Sequence, residues 1–270
     1  MDANGNGRHD RLYFGDTGGN VWRADINGID TSQWKLTLLA RLGRHAPSSG
    51  GKEDDRRFFH RGDIVQTFEN DDRVDVFVIG SGDRPNPLDK GGPVDDFAYM
   101  IKDFHTAVGG GVDSNLEHAD LGDVTNTCLT EDSACTADLT NGWALGMVDA
   151  TGEKILAKPI VIANVVYFTS YLPTGGFDPA SCAPSEGQGN LYAVALKNAA
   201  ATTNFDITTE SDERLVLLKS AGIPSEVVAI STQLGDKPKT YILPPGGPIL
   251  PTGASPRLQT FWFDEEDTDL

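Results

Sequence analysis

Short β-prone segments separated by turn residues dominate this chain, and no long stretch has the apolar spacing of a helix. A hairpin signal opens the series, because the glycines of Asp16-Thr17-Gly18-Gly19 supply the positive φ of a tight turn between two such segments. The remaining segments fall into clusters that each span roughly 50 residues, as in a repeated sheet. The four clusters hold candidate strands at 12–15, 20–26 and 34–39; 64–68, 74–80 and 97–103; 143–148, 155–162, 165–171 and 191–196; and 215–219, 227–231, 241–243 and 260–263.

Repeated clusters of short strands predict an all-β fold, a β-propeller in which the sheets are arranged radially as blades. About four blades are visible, which is the lower limit for closing a propeller, so we expect an incomplete one. We assign residues 1–263 to this propeller domain, with an insertion near 106–141 and an acidic tail at 264–270. The tryptophans are expected to pack between blades, and they are Trp22, Trp34, Trp143 and Trp262.

The net charge of the chain limits the kinds of partner that it can bind. The 270 residues carry 22 Lys and Arg against 40 Asp and Glu, a formal net charge of −18. Such a surface repels a phosphate backbone, which excludes nucleic acid as the main partner and disfavours anionic membranes. No apolar stretch reaches the ~20 residues of a membrane-spanning helix, and the first residues lack the pattern of an export signal. We therefore expect either a cytosolic protein or a piece of a longer exported chain.

The sequence pattern that most specifically indicates a binding site is the loop at residues 2–10. Oxygen-bearing side chains recur at alternate positions, at Asp2, Asn4, Asn6 and Asp10. Gly7 stands where an EF-hand loop needs its sharp turn, and Arg8 can offer its backbone carbonyl. These donors predict a calcium site of modest affinity, because Tyr13 stands where a bidentate glutamate would close the loop. The alternative is a turn rich in Asn and Gly that binds no metal.

Enzyme signatures are scarce, and we expect a protein that is not an enzyme. The histidines have no metal-site spacing, the run Gly109-Gly110-Gly111 is not followed by a lysine-bearing helix, and no nucleophile-elbow motif occurs. The acidic pairs are interpreted as solvated loop charges, since nothing apolar in the sequence surrounds them to shift a pKa. These pairs are Asp54-Asp55, Asp71-Asp72 and Asp95-Asp96.

Two further features leave alternatives open. The triplet Arg61-Gly62-Asp63 spells an integrin-recognition tripeptide, but it adjoins a β-prone segment, which favours a turn at the entry to a strand. Cys128 and Cys135 lie in one polar loop and could close a small ring in an oxidising compartment or remain free thiols in a reducing one. If Cys128 and Cys135 pair, Cys182 has no evident partner.

Several runs together resemble the C-terminal propeller of PilY-type type IV pilus proteins, a family that acts in pilus biogenesis and as tip adhesins. The run 10–25, DRLYFGDTGGNVWRAD, follows the Asp/Asn/Gly loop as it does in that family. The resemblance covers most of the chain in order. The other runs that carry it are 78–84 VIGSGDR, 87–89 PLD, 99–103 YMIKD, 152–156 GEKIL, 159–161 PIV, 165–171 VVYFTSY, 191–194 LYAV, 222–225 GIPS and 260–263 TFWF.

The resemblance implies a calcium-regulated extracellular protein at the pilus tip or outer membrane. In this family the matching loop holds calcium, here through Asp2, Asn4, Asn6, Arg8 and Asp10, and calcium occupancy governs whether pili persist against retraction. Asn6 stands where a carboxylate is usual. The implied partners are type IV pilus components, the minor pilins, and host or abiotic surfaces. The family also carries a signal peptide and a large N-terminal region, so the resemblance implies an N-terminally truncated piece.

Two other functions remain as alternatives. Quinoprotein-like blades, with their repeated Gly-Asn-apolar-aromatic runs, also occur in propeller dehydrogenases that use pyrroloquinoline quinone. No acidic residue and calcium loop in this sequence is evidently placed to face a quinone. The second alternative is a structural adhesive domain that needs no calcium.

Overall fold

The computed structural model describes residues 1–2, 7–26, 30–43, 50–89, 94–106, 115–147, 152–173, 186–205, 208, 211–234 and 237–245. In these residues the fold is all-β, as predicted, with helix limited to the short 3-10 segments Thr31–Gln33, Lys52–Asp54 and His118–Asp120. The predicted strand at 260–263, the tail at 264–270, Trp262 and Cys182 lie outside the described residues. None of the helices in the described part of the chain is long and apolar enough to cross a bilayer.

Within the described residues, fifteen strands form three larger sheets and one hairpin. The first sheet has the strand order β1-β2-β3-β7, the second β4-β5-β6-β9-β8, the third β10-β11-β12-β13, and β14 pairs with β15. The strands are β1 Arg11–Gly15, β2 Asn20–Asp25, β3 Lys35–Arg41, β4 Asp63–Glu69, β5 Asp72–Gly80, β6 Phe97–Asp103, β7 Leu116–Glu117, β8 Gly122–Asp123, β9 Gly142–Gly146, β10 Ile160–Ile162, β11 Val165–Leu172, β12 Gln188–Ala195, β13 Leu215–Ala221, β14 Val228–Leu234 and β15 Lys237–Leu243.

Two predictions about the grouping of strands and one about the length of a strand are wrong. Strand β9, which the sequence placed with the third cluster, pairs with β6 in the second sheet. Strand β13, placed with the fourth cluster, pairs with β12 in the third sheet. The predicted strand at 155–162 shrinks to β10, because the Ile155 N–H donates to the Ser81 carbonyl of the second sheet and Pro159 has no N–H to donate.

The segment predicted as an insertion contributes strands to two sheets. Within 106–141, β7 pairs in parallel with β3 of the first sheet, and β8 pairs in parallel with β9 of the second. The 3-10 turn His118–Asp120 separates the two short strands. This one segment of the chain therefore adds an edge strand to each of two neighbouring sheets.

The sheets stack face to face in chain order, and an apolar layer separates each pair. One buried cluster joins the first and second sheets, a second joins the second and third sheets, and a third joins the third sheet to the hairpin. Trp143 is fully buried between the second and third sheets, as expected, and its indole N–H donates to the Leu196 carbonyl at 2.8 Å. Phe168 and Tyr192 stack at a centroid distance of 4.6 Å in the same layer.

Cys128 and Cys135 form a disulfide, which resolves the alternative that the sequence left open. Cys128 is fully buried in the layer between the second and third sheets. The Arg214 guanidinium donates to the Thr127 and Cys128 carbonyls at 2.8 Å each, which holds the disulfide loop against the third sheet. The bridge closes a polar segment that would otherwise have little regular structure to order it.

Gly142 is a point where the backbone leaves no room for a side chain. It has φ +123°, and a Cβ built there would overlap the Met100 carbonyl oxygen of the neighbouring strand. We expect Gly142→Ala to lower the free energy of unfolding by roughly 2–4 kcal/mol, through strain and clash together. Urea unfolding measures the loss.

Gly222→Ala is the matched control for that substitution. Gly222 has φ +90° but no atom closer than 4.0 Å to a built Cβ, so it isolates the conformational strain. We expect a loss of about 1 kcal/mol there. Equal losses at both glycines would contradict a steric role for Gly142.

Candidate functional site

The loop at residues 2–10 is closed at its base by backbone hydrogen bonds. The Asp10 and Arg11 N–H groups donate to the Met1 carbonyl at 2.9 and 3.2 Å, and the Met1 nitrogen donates to the Arg11 carbonyl at 2.7 Å. Asp2 follows Met1 directly, so these bonds bring the first and last predicted ligands to the same end of the loop. The Gly7 N–H then donates to Asp2 Oδ2 at 2.8 Å, which folds the loop back on itself.

The donor types in this loop fit a hard cation. Asp2 and Asp10 supply carboxylates, and Arg8 supplies a carbonyl next to Gly7, whose φ of +81° gives a sharp turn. Asp10 is only 4% exposed. Asn4 and Asn6 lie outside the described residues. Within the described ranges, no three His, Cys, Asp or Glu side chains are grouped so as to hold a metal.

Directly after the loop, a buried ionic network joins the first sheet to the second. Arg11 of β1 contacts Asp25 of β2 at 2.8 Å and Asp75 of β5 at 2.5 Å. Arg23 of β2 contacts the other Asp25 oxygen at 3.0 Å and Asp103 of β6 at 2.7 Å. All five side chains are at most 2% exposed, so these charges sit in an environment where they must compensate one another.

Tyr13 completes the network as a neutral donor. Its hydroxyl lies 3.0 Å from Asp75 Oδ2 and 2.8 Å from Asp103 Oδ2, and thus bridges the two carboxylates of the second sheet. Burial raises the pKa of Tyr13, and the Asp103 and Asp75 charges raise it further. The phenol therefore keeps its proton across the physiological range and relieves the repulsion between the Asp75 and Asp103 carboxylates, each of which pairs with one arginine.

The sequence analysis did not identify this network, although the sequence contains a signal for it. In β1 and β2 the alternate positions occupied by Arg11, Arg23 and Asp25 face the second sheet. Charged residues at the inward positions of two paired strands are unusual, because those positions normally hold apolar side chains. Such a pattern can identify a buried ionic layer when the outward positions are apolar instead.

A second polar centre lies in a cavity of about 290 Å³, lined by segments that flank the strands of the second sheet and by the segment that holds Gly152 and Lys154. At its inner end Lys154, 4% exposed, donates to the Asp89 and Gly152 carbonyls at 2.7 Å each. Asp96, 5% exposed, accepts from the Ser81 hydroxyl at 2.7 Å. Burial lowers the pKa of Lys154 and raises the pKa of Asp96 to about 6. The interpretation of the pair Asp95-Asp96 as solvated charges is therefore wrong for Asp96.

The Arg61-Gly62-Asp63 triplet is placed at the entry to a strand, as the sequence favoured. Strand β4 begins at Asp63, whose Oδ2 accepts from the Val161 N–H at 2.8 Å while Oδ1 lies 3.5 Å from Lys158 Nζ. A Cβ on Gly62 would overlap Phe77 and the Val78 carbonyl. The aspartate carboxylate is thus engaged with the third sheet and helps to join β4 to β10.

A comparison with solved structures relates this arrangement to a known domain. The chain matches the crystal structure of the Pseudomonas aeruginosa PilY1 C-terminal domain with a TM-score of 0.63 over 93% of its own length. The chain has the PilY1 C-terminal fold. The two sequences are 14% identical, and the chain spans 59% of the length of the PilY1 domain. No family model and no curated protein matches the chain. The resemblance drawn from the sequence is confirmed at the level of the PilY1 fold.

The ionic network yields a stability prediction. Replacing Arg23 with Met would leave three buried carboxylates facing one guanidinium, so we expect a loss of roughly 3–5 kcal/mol in unfolding free energy. Arg57→Met is the control, since Arg57 and Asp55 form an exposed pair with side chains 39% and 33% accessible. That pair is expected to contribute at most about 1 kcal/mol. Urea unfolding at low salt compares the two, and similar small losses would contradict a dependence of the fold on the network.

Asp96 yields a prediction about pH. Its pKa of about 6 in the folded protein exceeds that of an exposed aspartate, so the folded state binds this proton more tightly than the unfolded chain. The protonated Asp96 side chain stabilises the folded state; this stabilisation is fully present below about pH 4 and is lost as the pH rises through about 6. Asn keeps the acceptor for Ser81 but does not titrate. We therefore expect Asp96→Asn to gain roughly 1–3 kcal/mol relative to the wild type between about pH 4 and pH 7.5.

Urea unfolding at the two pH values measures this gain, and Asp95→Asn provides the control. Asp95 is the exposed neighbour in the sequence, so its replacement is expected to change the pH dependence little. A difference between Asp96→Asn and wild type that stays constant with pH would show that Asp96 titrates like an exposed carboxyl group.

Proposed function

We propose that this chain is a calcium-binding propeller domain of a type IV pilus biogenesis and adhesion protein, with a binding role and no catalytic one. The observation that carries the proposal is the match to the PilY1 C-terminal domain across 93% of the chain. The proposed location is extracellular, at the pilus tip or outer membrane. The disulfide Cys128–Cys135 supports an oxidising compartment.

The propeller assignment is part of this proposal. Three sheets of four or five strands and one hairpin stack face to face in chain order, which is how successive blades of a propeller pack. We count the hairpin β14-β15 as a fourth, partial blade. In this view the segment that contains β7 and β8 links two blades by adding one parallel strand to each.

The proposed calcium ligands are Asp2, Asn4, Asn6, the Arg8 carbonyl and Asp10. Bound calcium would supply the positive charge that neutralises the two carboxylates. The chain itself contributes the closed base of the loop, through the bonds between Met1 and the Asp10–Arg11 backbone. It also contributes the Gly7 turn, which fixes the first carboxylate by its N–H.

The loop is connected to the sheet interface through the backbone. Asp10 ends the loop and Arg11 begins β1, and the Arg11 guanidinium bonds to Asp25 and Asp75 across two sheets. The Asp10 carbonyl also accepts from the Ile26 N–H at 2.7 Å, which fixes the end of β2 beside the loop. Ordering the loop would therefore hold β1 and β2 in the register that the ionic network requires. This link supports calcium control over the surface offered to minor pilins, and so over pilus extension against retraction.

Calcium binding predicts a rise in thermal stability. A ligand that binds only the folded state, at a concentration 100 times its Kd, stabilises it by about 2.7 kcal/mol. For a chain of this length that corresponds to a rise in Tm of about 5 °C. A thermal melt with calcium, with chelator and with magnesium measures the shift. We expect Asp2→Asn to remove it and Asp30→Asn, which changes a capping carboxylate in another loop, to preserve it.

A second measurement tests the pilus role separately. The full-length protein carrying Asp2→Asn is expressed in a piliated strain that lacks its own copy, and surface pili are counted at limiting calcium. We expect fewer pili than with the wild type and no deficit with Asp30→Asn. If Asp2→Asn removes the calcium-dependent rise in Tm but leaves the number of pili unchanged, the loop binds calcium without regulating pili.

A further inference from the structure

The cavity beside Lys154 and Asp96 is a second candidate site. It lies where β5 ends and β6 begins, next to the segment that leads from Gly152 into the third sheet. The second and third sheets each have an apolar layer on both faces. The walls of the cavity therefore come from the interior of the stack of sheets and not from its uncovered ends.

The volume of the cavity limits the size of a ligand. At about 290 Å³ it is close to the lower limit of small-molecule sites. A water molecule takes ~30 Å³ of the liquid, so there is room for a molecule of roughly ten to twelve non-hydrogen atoms. That is the size of one amino acid or one sugar ring. A peptide or a nucleotide is too large.

The lining of the cavity is polar. Its described residues include four aspartates and three basic residues, together with Asn86, Gly152 and Val94. Among them Val94 supplies the single apolar side chain, whereas small-molecule sites are usually lined by apolar and aromatic groups. An apolar ligand would find few contacts here. A polar ligand can replace the hydrogen bonds that it loses with water.

Contacts among the lining residues hold the walls in place. Arg57 Nη2 donates to Asp55 Oδ2 at 3.0 Å, and Arg57 Nη1 lies 3.7 Å from Asp83 Oδ2. The Asn86 amide donates to the same Asp83 oxygen at 3.1 Å. These contacts fix the polar groups before a ligand arrives, which reduces the entropy lost on binding.

Two buried groups at the inner end keep unused hydrogen-bonding capacity. An ammonium group has three donors, and Lys154 donates two of them to the Asp89 and Gly152 carbonyls. Asp96 accepts from Ser81 through Oδ1. Within the described ranges, neither the third donor of Lys154 nor Asp96 Oδ2 has a hydrogen-bond partner. Both side chains line the cavity and are at most 5% exposed, so the inner end offers a ligand one donor and one acceptor.

The charges at the inner end favour a neutral ligand. The Lys154 ammonium would repel a cation, and the Asp96 carboxylate would repel an anion. A hydroxyl group is uncharged, and it can accept from the ammonium while it donates to the carboxylate. Further hydroxyl groups would find donors and acceptors along the walls in Arg57, Asp55 and Asn86. A zwitterion also matches both charges, but its charged groups lose more hydration on entering the cavity than hydroxyl groups do.

We propose that this cavity binds a single sugar ring, with one hydroxyl group bridging Lys154 Nζ and Asp96 Oδ2. A hexose meets the limits of size, polarity and charge together. We expect a Kd of about 1 mM, because hydrogen bonds alone hold a ligand of this size weakly. The described residues of the loop at 2–10 do not line the cavity, so sugar binding is independent of calcium binding.

NMR titration of the ¹⁵N-labelled 270-residue chain tests the proposal. At pH 7.5 the Asp96 carboxylate is ionised, because its pKa is about 6. The probes are glucose, galactose, mannose and fucose, each as the free sugar and as the methyl glycoside, from about 0.1 to 50 mM. The methyl glycoside represents the end residue of a glycan, and the free form represents a monosaccharide. We expect at least one sugar to shift the amide signals of Asp96, Gly152 and Lys154.

Asp96→Asn tests the bridging hydroxyl group. The amide oxygen can still accept from Ser81, but an N–H donor then stands where Oδ2 accepts, so we expect the affinity to fall tenfold or more. The variant should fold, because it removes a buried carboxylate. Asp95→Asn is the matched control, since Asp95 is exposed and does not line the cavity. It should leave the Kd unchanged.

Glycine, acetate and methylammonium test the selection by charge. We expect none of the three to shift the same amide signals over the same range of concentration. Binding of glycine without binding of any sugar would assign the cavity to a zwitterion and overturn the proposal. The absence of a shift with every sugar would also overturn it. Shifts confined to other parts of the chain, or an unchanged Kd in Asp96→Asn, would exclude this cavity as the sugar site.

Discussion

Four ion pairs between two arginines and three aspartates determine how the first sheet packs against the second. Arg11 and Arg23 reach across the interface to Asp75 and Asp103, and Asp25 holds both guanidinium groups in place. A buried network of this kind gives little net stability relative to apolar packing, but every member depends on the others for compensation. It therefore acts as a constraint on register, since a slip of one residue would turn these charges toward solvent.

The same constraint bears on two neighbouring features of the first sheet. Because the charged positions of β1 and β2 face the second sheet, apolar side chains at the alternate positions, such as Leu12 and Phe14, lie on the opposite side of the first sheet. Because Arg11 directly follows Asp10, the loop at residues 2–10 is attached to the first sheet at a member of the buried network.

The sequence identified most strands because their alternation and turn glycines are local properties. Strand β6 was predicted with its observed bounds, and Gly19 lies in the predicted turn with φ +78°. The pairing of strands was harder to predict, because nothing local in the sequence shows that β9 pairs with β6 across an intervening segment. The environment of Asp96 was misjudged for the same reason, because the groups that bury it come from distant parts of the chain. Trp34, expected between blades, is instead half exposed.

The sequence by itself determined the all-β class, the position of the Asp/Asn/Gly loop and the resemblance to PilY-type propellers, because each depends on residues close together in the chain. Only the tertiary structure decided which sheet each strand joins, which carboxylates are buried, and which face of the first sheet is covered. Those outcomes depend on contacts between residues far apart in the chain, such as Arg11 with Asp75, which are 64 positions apart, and Arg23 with Asp103, which are 80 positions apart. Burial and pairing are properties of the assembled interface, and a single strand carries no information about the partner that will cover it.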